Sequence, residues 1–300
     1  MPTLQLDLAD PESVMAALRA GAEANASASC RQGSIDLIEP PGSLIATGDL
    51  HDNPIHYTAL LKLAGLDGAG DPAEPRHLLL HEIIHSDRLM NGCDLSYRML
   101  AKVAARKAAY PEHVHAIMAN HELAQLNNSA ILKNGVKMVE AFNDGLTFAF
   151  GGDADAVEDA CRAFIRSMPI GLRCVTPRGD ILCCHSLPAV HAMGRFDPSV
   201  MSRDLTDDDL APRTGAVHAL TWGRGYDADQ IEDLVERWGV SMFILGHEHV
   251  DDGVKLVPPA AVVLNSDHER GVYLPIDLAD PPEWRECAER ARPLSSVKLD

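Results

Sequence analysis

The sequence lacks any long apolar run. Its longest hydrophobic stretches, residues 241–245 and 260–264, fall far short of the roughly 20 residues a membrane helix needs. It also lacks basic charge: 26 Lys and Arg face 44 Asp and Glu, for a formal net charge of -18. A surface this negative repels phosphate backbones, so nucleic-acid binding is not expected. The first ten residues hold two Asp and no Lys or Arg, which argues against a signal peptide. Cysteine forms no framework. The seven thiols are odd in number and irregularly spaced, which points to free thiols and a reducing cytoplasm. Adjacent Cys183 and Cys184 lie in an apolar run and read as core. What remains is an ordinary globular composition, 46% hydrophobic and 23% charged over 300 residues, enough for one large domain or two modest ones.

Fourteen histidines are present, many beside Asp, Asn or Glu. Their positions follow a pattern. Asp10-Pro11-Glu12 opens an amphipathic helix, and an Ala/Ser/Gly-rich linker runs to Gly33. Residues 44–47 read as a buried strand ending at Gly48-Asp49-Leu50-His51, followed by a helix over 54–66 and breaker-rich residues 67–75. Residues 77–84 read as a second strand, and Asp94 as the cap of a helix carrying Leu95, Met99, Leu100 and Val103. A third strand, 113–118, ends in Asn120-His121-Glu122, and a helical insertion spans about 123–168. Residues 172–175 and 181–184 form a hairpin pattern that ends at His185. A helix opened by Asp227 and a strand over 241–245 lead to Gly246-His247-Glu248-His249. Short β segments that suggest a second sheet, then a polar tail over 281–300, complete the chain. Strands alternating with helices predict an α/β core. In such sheets ligands gather outside the carboxyl ends of the strands, which is where each polar cluster falls.

Asp49-Leu50-His51 and His247-Glu248-His249 each put two ligand-type side chains on one side of an extended segment. Imidazole and carboxylate together suit Zn, Mn or Fe, whereas Ca and Mg prefer oxygen shells. His56, His77, His113, His115, His191, His218 and His268 complete no cluster and read as structural.

The ordered set Gly48-Asp49-x-His51, Asn120-His121-Glu122, His185 and Gly246-His247-x-His249 resembles the calcineurin-like metallophosphoesterases, most closely their phosphoprotein phosphatase branch. The resemblance spans residues 43–277 and extends to the 168–188 stretch and to Val250-Asp251-Asp252-Gly253. It implies an α/β fold with a central β-sandwich flanked by helices in α/β/β/α layers, as a single domain over 34–280. It implies a cytoplasmic phosphatase that hydrolyses phosphomonoesters, on a small molecule or a phosphoprotein, with two divalent or transition metal ions (Mn, Fe or Zn).

Carried over by position, Asp49, His51, Glu82 and His249 hold one metal. Glu82, Asn120, His185 and His247 hold the other, with Glu82 bridging. The pair acidifies a shared water to hydroxide and polarises the phosphoryl group. His121 protonates the leaving alcohol, and Arg224 and Arg88 grip phosphate oxygens.

The chain departs from the branch's Gly-Asp-x-x-Asp-Arg-Gly motif, where it has His81-Glu82-Ile83-Ile84-His85-Ser86. Glu replaces the bridging Asp, and His85 replaces the Asp that orients the catalytic histidine. Arg88 falls two positions late, and Ser186-Leu187 replaces Gly-Gly. Two rival readings follow. The substitutions at 82 and 85 fit a binding protein that has lost turnover. His81-Glu82-Ile83-Ile84-His85 is also a literal H-E-x-x-H, the zinc-protease signature, which requires a helix.

Overall fold

A computed structural model describes residues 6–68 and 76–299. Part of the expected breaker segment, residues 69–75, lies outside the described residues. The chain builds two mixed sheets. The five-stranded sheet runs in the order Arg292–Pro293, Val272–Asp277, Ser43–Ala46, Arg76–His81, Val114–Ile117. Its last three strands are mutually parallel. The seven-stranded sheet runs Arg31–Gln32, Ile35–Ile38, Gly171–Cys174, Asp180–Cys184, Val240–Leu245, Ala261–Leu264, Val254–Val257. Helices cover both sheets: Pro54–Ala64 and Tyr97–Ala109 pack on the first, and Ala228–Trp238 packs on the second. This is the layered α/β arrangement expected. The C-terminal strands do not form a sheet of their own, however; they are shared between the two.

Local chemistry accounts for the elements that matter. Leu78, Leu79 and Leu80 are fully buried, as a parallel strand covered on both faces demands. Asp10 caps the first helix by accepting from the backbone N–H groups of Glu12 and Ser13. That helix, Pro11–Ser27, buries Val14 and Leu18 against helices Tyr97–Ala109 and Ala154–Ser167. Gly21 permits the approach, since a Cβ there would lie 2.7 Å from Ala104. The polar C-terminal segment is docked. Cys287 and Leu294 are buried, and Arg292–Pro293 pairs with Val272 and Tyr273. The 123–168 insertion is helical as expected (Met138–Phe150 and Ala154–Ser167), but it also carries a small hairpin, Leu132–Lys133 with Val136–Lys137.

Two boundaries differ with consequence. The helix expected from Asp94 starts at Tyr97, because Asp94 instead accepts from the Ser96 N–H and hydroxyl. The strand expected over 77–84 stops at His81, and Glu82 turns into the left-handed region at φ 44°. The helix that a zinc-protease reading requires is therefore absent. His81 ends a strand, and His85, itself at φ 63°, points to His121 and Gln125.

Candidate metal centre

Five chain segments leave the carboxyl ends of their strands and converge. Asp49 follows Ser43–Ala46 and bridges by backbone to His81 and to Asn265. Gly48 is required there, since a Cβ would fall 1.8 Å from the Leu264 carbonyl oxygen. Glu82 follows Arg76–His81, and Asn120 opens the helix Asn120–Leu126. His185 follows Asp180–Cys184, and His247 follows Val240–Leu245. His51, Glu82, His85 and His247 all have positive φ. Such backbone is strained for residues with side chains, and it concentrates where function over-determines the geometry.

Glu82 is the hub. Its Oε1 lies 3.3 Å from His51 Nε2 and 3.1 Å from His121 Nε2, while Oε2 lies 3.2 Å from His185 Nε2. Asn120 Oδ1 sits 2.7 Å from His185 Nε2 and 3.1 Å from His247 Nδ1. The Asp49 carboxylate accepts the His247 backbone N–H, at 2.9 and 3.1 Å to its two oxygens. Six of the seven expected ligands thus come together. His249 does not join them. It is 67% exposed, pairs with Asp251 at 3.2 Å, and groups with Asp267 and His268 at the rim.

His121 Nδ1 is 2.8 Å from His85 Nδ1, and His85 Nε2 is 3.1 Å from Gln125 Oε1. The Gln125 amide donates to Asn143 Oδ1 at 2.7 Å, which fixes its oxygen toward His85. His85 Nε2 then donates to Gln125, so His85 Nδ1 accepts the His121 Nδ1–H. An imidazole thus stands behind His121, where the sequence resemblance led us to expect a carboxylate. Arg224 donates to the His247 carbonyl at 3.2 Å, and Arg88 donates to the Asp52 carbonyl; both guanidinium groups therefore attach to ligand-bearing loops. The Arg224 loop is itself fastened, because Ser186 donates to the Gly223 carbonyl at 2.5 Å. Gly223 lies so near Leu187 that a Cβ would fall 1.6 Å from its carbonyl oxygen.

Four further positions shape the site, and of these the sequence reading gave a role only to His81, as a zinc ligand in the protease alternative. Glu122 Oε1 accepts the backbone N–H groups of Ile83 and Ile84 at 2.9 and 3.2 Å, anchoring the loop that presents Glu82. Lys133 of the small hairpin pairs with Asp87 at 3.1 Å, and its charge acts on Asp49, His51 and Glu82. His81 is buried beside Asp49 and His185. Trp222 stands edge-on to His247 and stacks on His218. Cavities of about 270 and 670 Å³ meet at Trp222, lined in part by His191, Arg195, Arg213 and His218.

The electrostatics fit a cation. Burial, then repulsion from Glu82, raises the Asp49 carboxyl well above its ordinary range, against the His247 N–H that opposes it. Burial and the nearby Glu122 push Glu82 up to about 8. Burial lowers His185 to about 3 and His247 to about 2, leaving neutral imidazoles suited to ligation. His185 Nδ1 and His247 Nε2 are buried without hydrogen-bond partners. Crowded carboxylates with orphaned imidazole nitrogens are what bound cations would relieve, and the mixed N and O donor set suits Zn, Mn or Fe.

A nitrogen- and carboxylate-lined cluster at the strand ends of a two-sheet sandwich defines a metal-dependent hydrolytic class. The sequence matches the calcineurin-like phosphoesterase family over residues 42–251, and the chain belongs to that family of metal-dependent phosphoesterases. Two solved structures share the fold. A protein serine/threonine phosphatase from Saccharomyces cerevisiae superimposes with a TM-score of 0.63 at 16% identity, covering 89% of this chain and 83% of that one. A cold-active protein-tyrosine phosphatase from a psychrophilic Shewanella gives 0.57 at 14% identity, covering 85% and 79%. A search of the curated proteins gives no match. Among the described residues no helix is long and apolar enough to cross a membrane, and all seven cysteines are free thiols.

Proposed function

We propose that the protein hydrolyses phosphomonoesters at a two-cation centre bridged by Glu82. The observation that carries this reading is the position of the Glu82 carboxylate, whose two oxygens address His51 and His121 on one side and His185 on the other. Asp49, His51 and Glu82 would hold one cation, and Glu82, Asn120, His185 and His247 the other. When bound, the pair supplies Lewis acidity and an acidified water.

The chain's own groups do the rest. Arg224, Arg88 and Lys133 bring positive charge to a site in an otherwise acidic protein, and guanidinium forks match phosphate oxygens. With its Nδ1–H donated to His85, His121 would take up a second proton at Nε2 from solvent and pass it to the leaving oxygen as the ester bond breaks. The cavities beside Trp222 receive the leaving group, and Arg195 and Arg213 favour one that carries further negative charge. Gly246 and Gly48 exclude side chains from the floor of the centre.

The test joins metal analysis of the purified protein to chelator-sensitive hydrolysis of an aryl phosphate. Close to two transition-metal ions per chain, with activity lost on chelation and restored by metal, is the expected result. A metal-replete protein that hydrolyses no phosphate ester would replace this reading with that of a binding protein.

A further inference from the structure

Among the described residues, His81 is fully buried with no hydrogen-bond partner for either ring nitrogen. A neutral imidazole carries one donor and one acceptor. Burying both unmet is costly, and native proteins seldom leave such groups orphaned. Its neighbours are ligand-type. Asp49, His81 and His185 each offer an atom within 4.8 Å of the others, and the His81 and His185 rings lie 5.9 Å apart between centroids. The His185 nitrogen facing this group, Nδ1, is orphaned as well. The space is kept open by Gly246, where a Cβ would lie 2.4 Å from Asp49 Oδ1 and 2.9 Å from His81 Nδ1.

Position 81 falls where the resembled Gly-Asp-x-x-Asp-Arg-Gly motif has its first glycine, so an imidazole stands where that motif has no side chain. It also coincides with a loss, since His249, expected beside Asp49, sits at the rim paired with Asp251. We propose that His81 ligates the divalent transition-metal ion held by Asp49, supplying the nitrogen donor that His249 does not. His81 then adds an imidazole nitrogen to the Asp49 carboxylate and the His51 imidazole, a mixed donor set typical of zinc, iron and manganese sites. The inference rests on the two-cation reading and adds a ligand to it.

His81→Leu and His81→Gly test it by metal binding rather than turnover. In competition with a chelator, the wild type should hold two equivalents. His81→Leu should bind one of them at least tenfold more weakly, and its cobalt(II) derivative should show an altered visible spectrum. The metal-free His81→Leu protein should melt higher than metal-free wild type, since the orphaned nitrogens are gone, yet gain less on adding metal. His81→Gly should recover binding when imidazole is supplied. Cadmium NMR on wild-type protein with nitrogen-labelled histidine counts the ligands without any substitution, and coupling to His81 is expected. Two equivalents at wild-type affinity in His81→Leu, or no cadmium coupling to His81, overturns the proposal alone. Wild type that binds no metal, or Glu82→Ala that keeps both equivalents, overturns the two-cation reading with it.

Discussion

The protein buries two sets of histidines and carboxylates, and they behave oppositely. In the first, Asp36 of the seven-stranded sheet meets His115 of the five-stranded sheet at 2.8 Å. His115 passes to His77 at 3.1 Å, and Arg31 and Lys107 stand 2.7 and 3.8 Å from Asp36. Although burial pushes the Asp36 carboxyl up, the His115 hydrogen bond and the charges of Lys107 and Arg31 hold it below the usual range. Nearby Cys30 is pushed up to about 12 by burial and so stays a thiol, a poor metal ligand. In the second set, Asp49 and Glu82 lie against histidines and make no ion pair with Lys or Arg among the described residues; Lys133 acts on them only at longer range, and burial raises both. The residue types are alike; the charge balance differs. The cluster with directly paired cations is electrostatically complete, whereas the one whose carboxylates pair with none leaves a place that bound cations would fill.

Exchanging losses between the clusters gives the largest expected effects. Glu82→Ala should drop metal content and turnover to background while leaving metal-free stability intact, because it removes a carboxylate that burial already penalises. Asp36→Ala should do the reverse, keeping metal and turnover but costing ~3–5 kcal/mol in urea unfolding, the usual result of stranding a buried partner charge. Metal loss in Asp36→Ala would erase the distinction.

His121→Asn comes next. With both metals and the fold retained, turnover on alkyl phosphates should fall by about 10²–10⁴, the usual worth of general-acid help. Aryl phosphates with acidic leaving groups should suffer less, and rates unchanged from wild type on both substrate types would remove His121 from the mechanism. For Lys133→Ala we expect roughly a tenfold loss in kcat/KM, ~1.4 kcal/mol, carried mainly by KM; an unchanged KM would confine the lysine to its pairing with Asp87. The smallest effect is a gain. His85→Asp restores a carboxylate behind His121 and should raise turnover on alkyl phosphates by about two- to fivefold, a small part of the roughly 10²–10⁴ that general-acid help is worth. A fall instead would show that the chain is tuned to its His–His pair.

Much of this centre is legible in the sequence because period and termination are local properties. Short apolar strands stop at polar clusters, and six of the candidate ligands sit at those stops. His249 misleads because the dipeptide spacing is right, while the turn that carries it leads to Asp251 and His268. His81 is obscured by its neighbours: Leu78 to Leu80 make it read as strand, and the H-E-x-x-H spelling makes it read as helix. The small hairpin had a signal, Asn134-Gly135 between Lys133 and Val136, the pair favoured where both turn residues need positive φ. Both have it, at 51° and 80°. The docked C-terminal segment had none, since a two-residue strand is defined by its partner. The same holds for the sharing of C-terminal strands between sheets, which depends on contacts distant in sequence.

Asp49 is more than a ligand. Its main chain bridges His81 and Asn265 and accepts from Ser266, while its carboxylate takes the backbone N–H of His247 from the opposite sheet. One residue is at once an edge of the reactive centre and a stitch in the seam of the sandwich. Over evolutionary time the two duties constrain each other. The cation can change with its supply, and Glu82, His51 or His81 can follow it, but replacing Asp49 opens the seam as well. Asparagine keeps an oxygen for the His247 N–H while surrendering the charge, so Asp49→Asn separates the two duties.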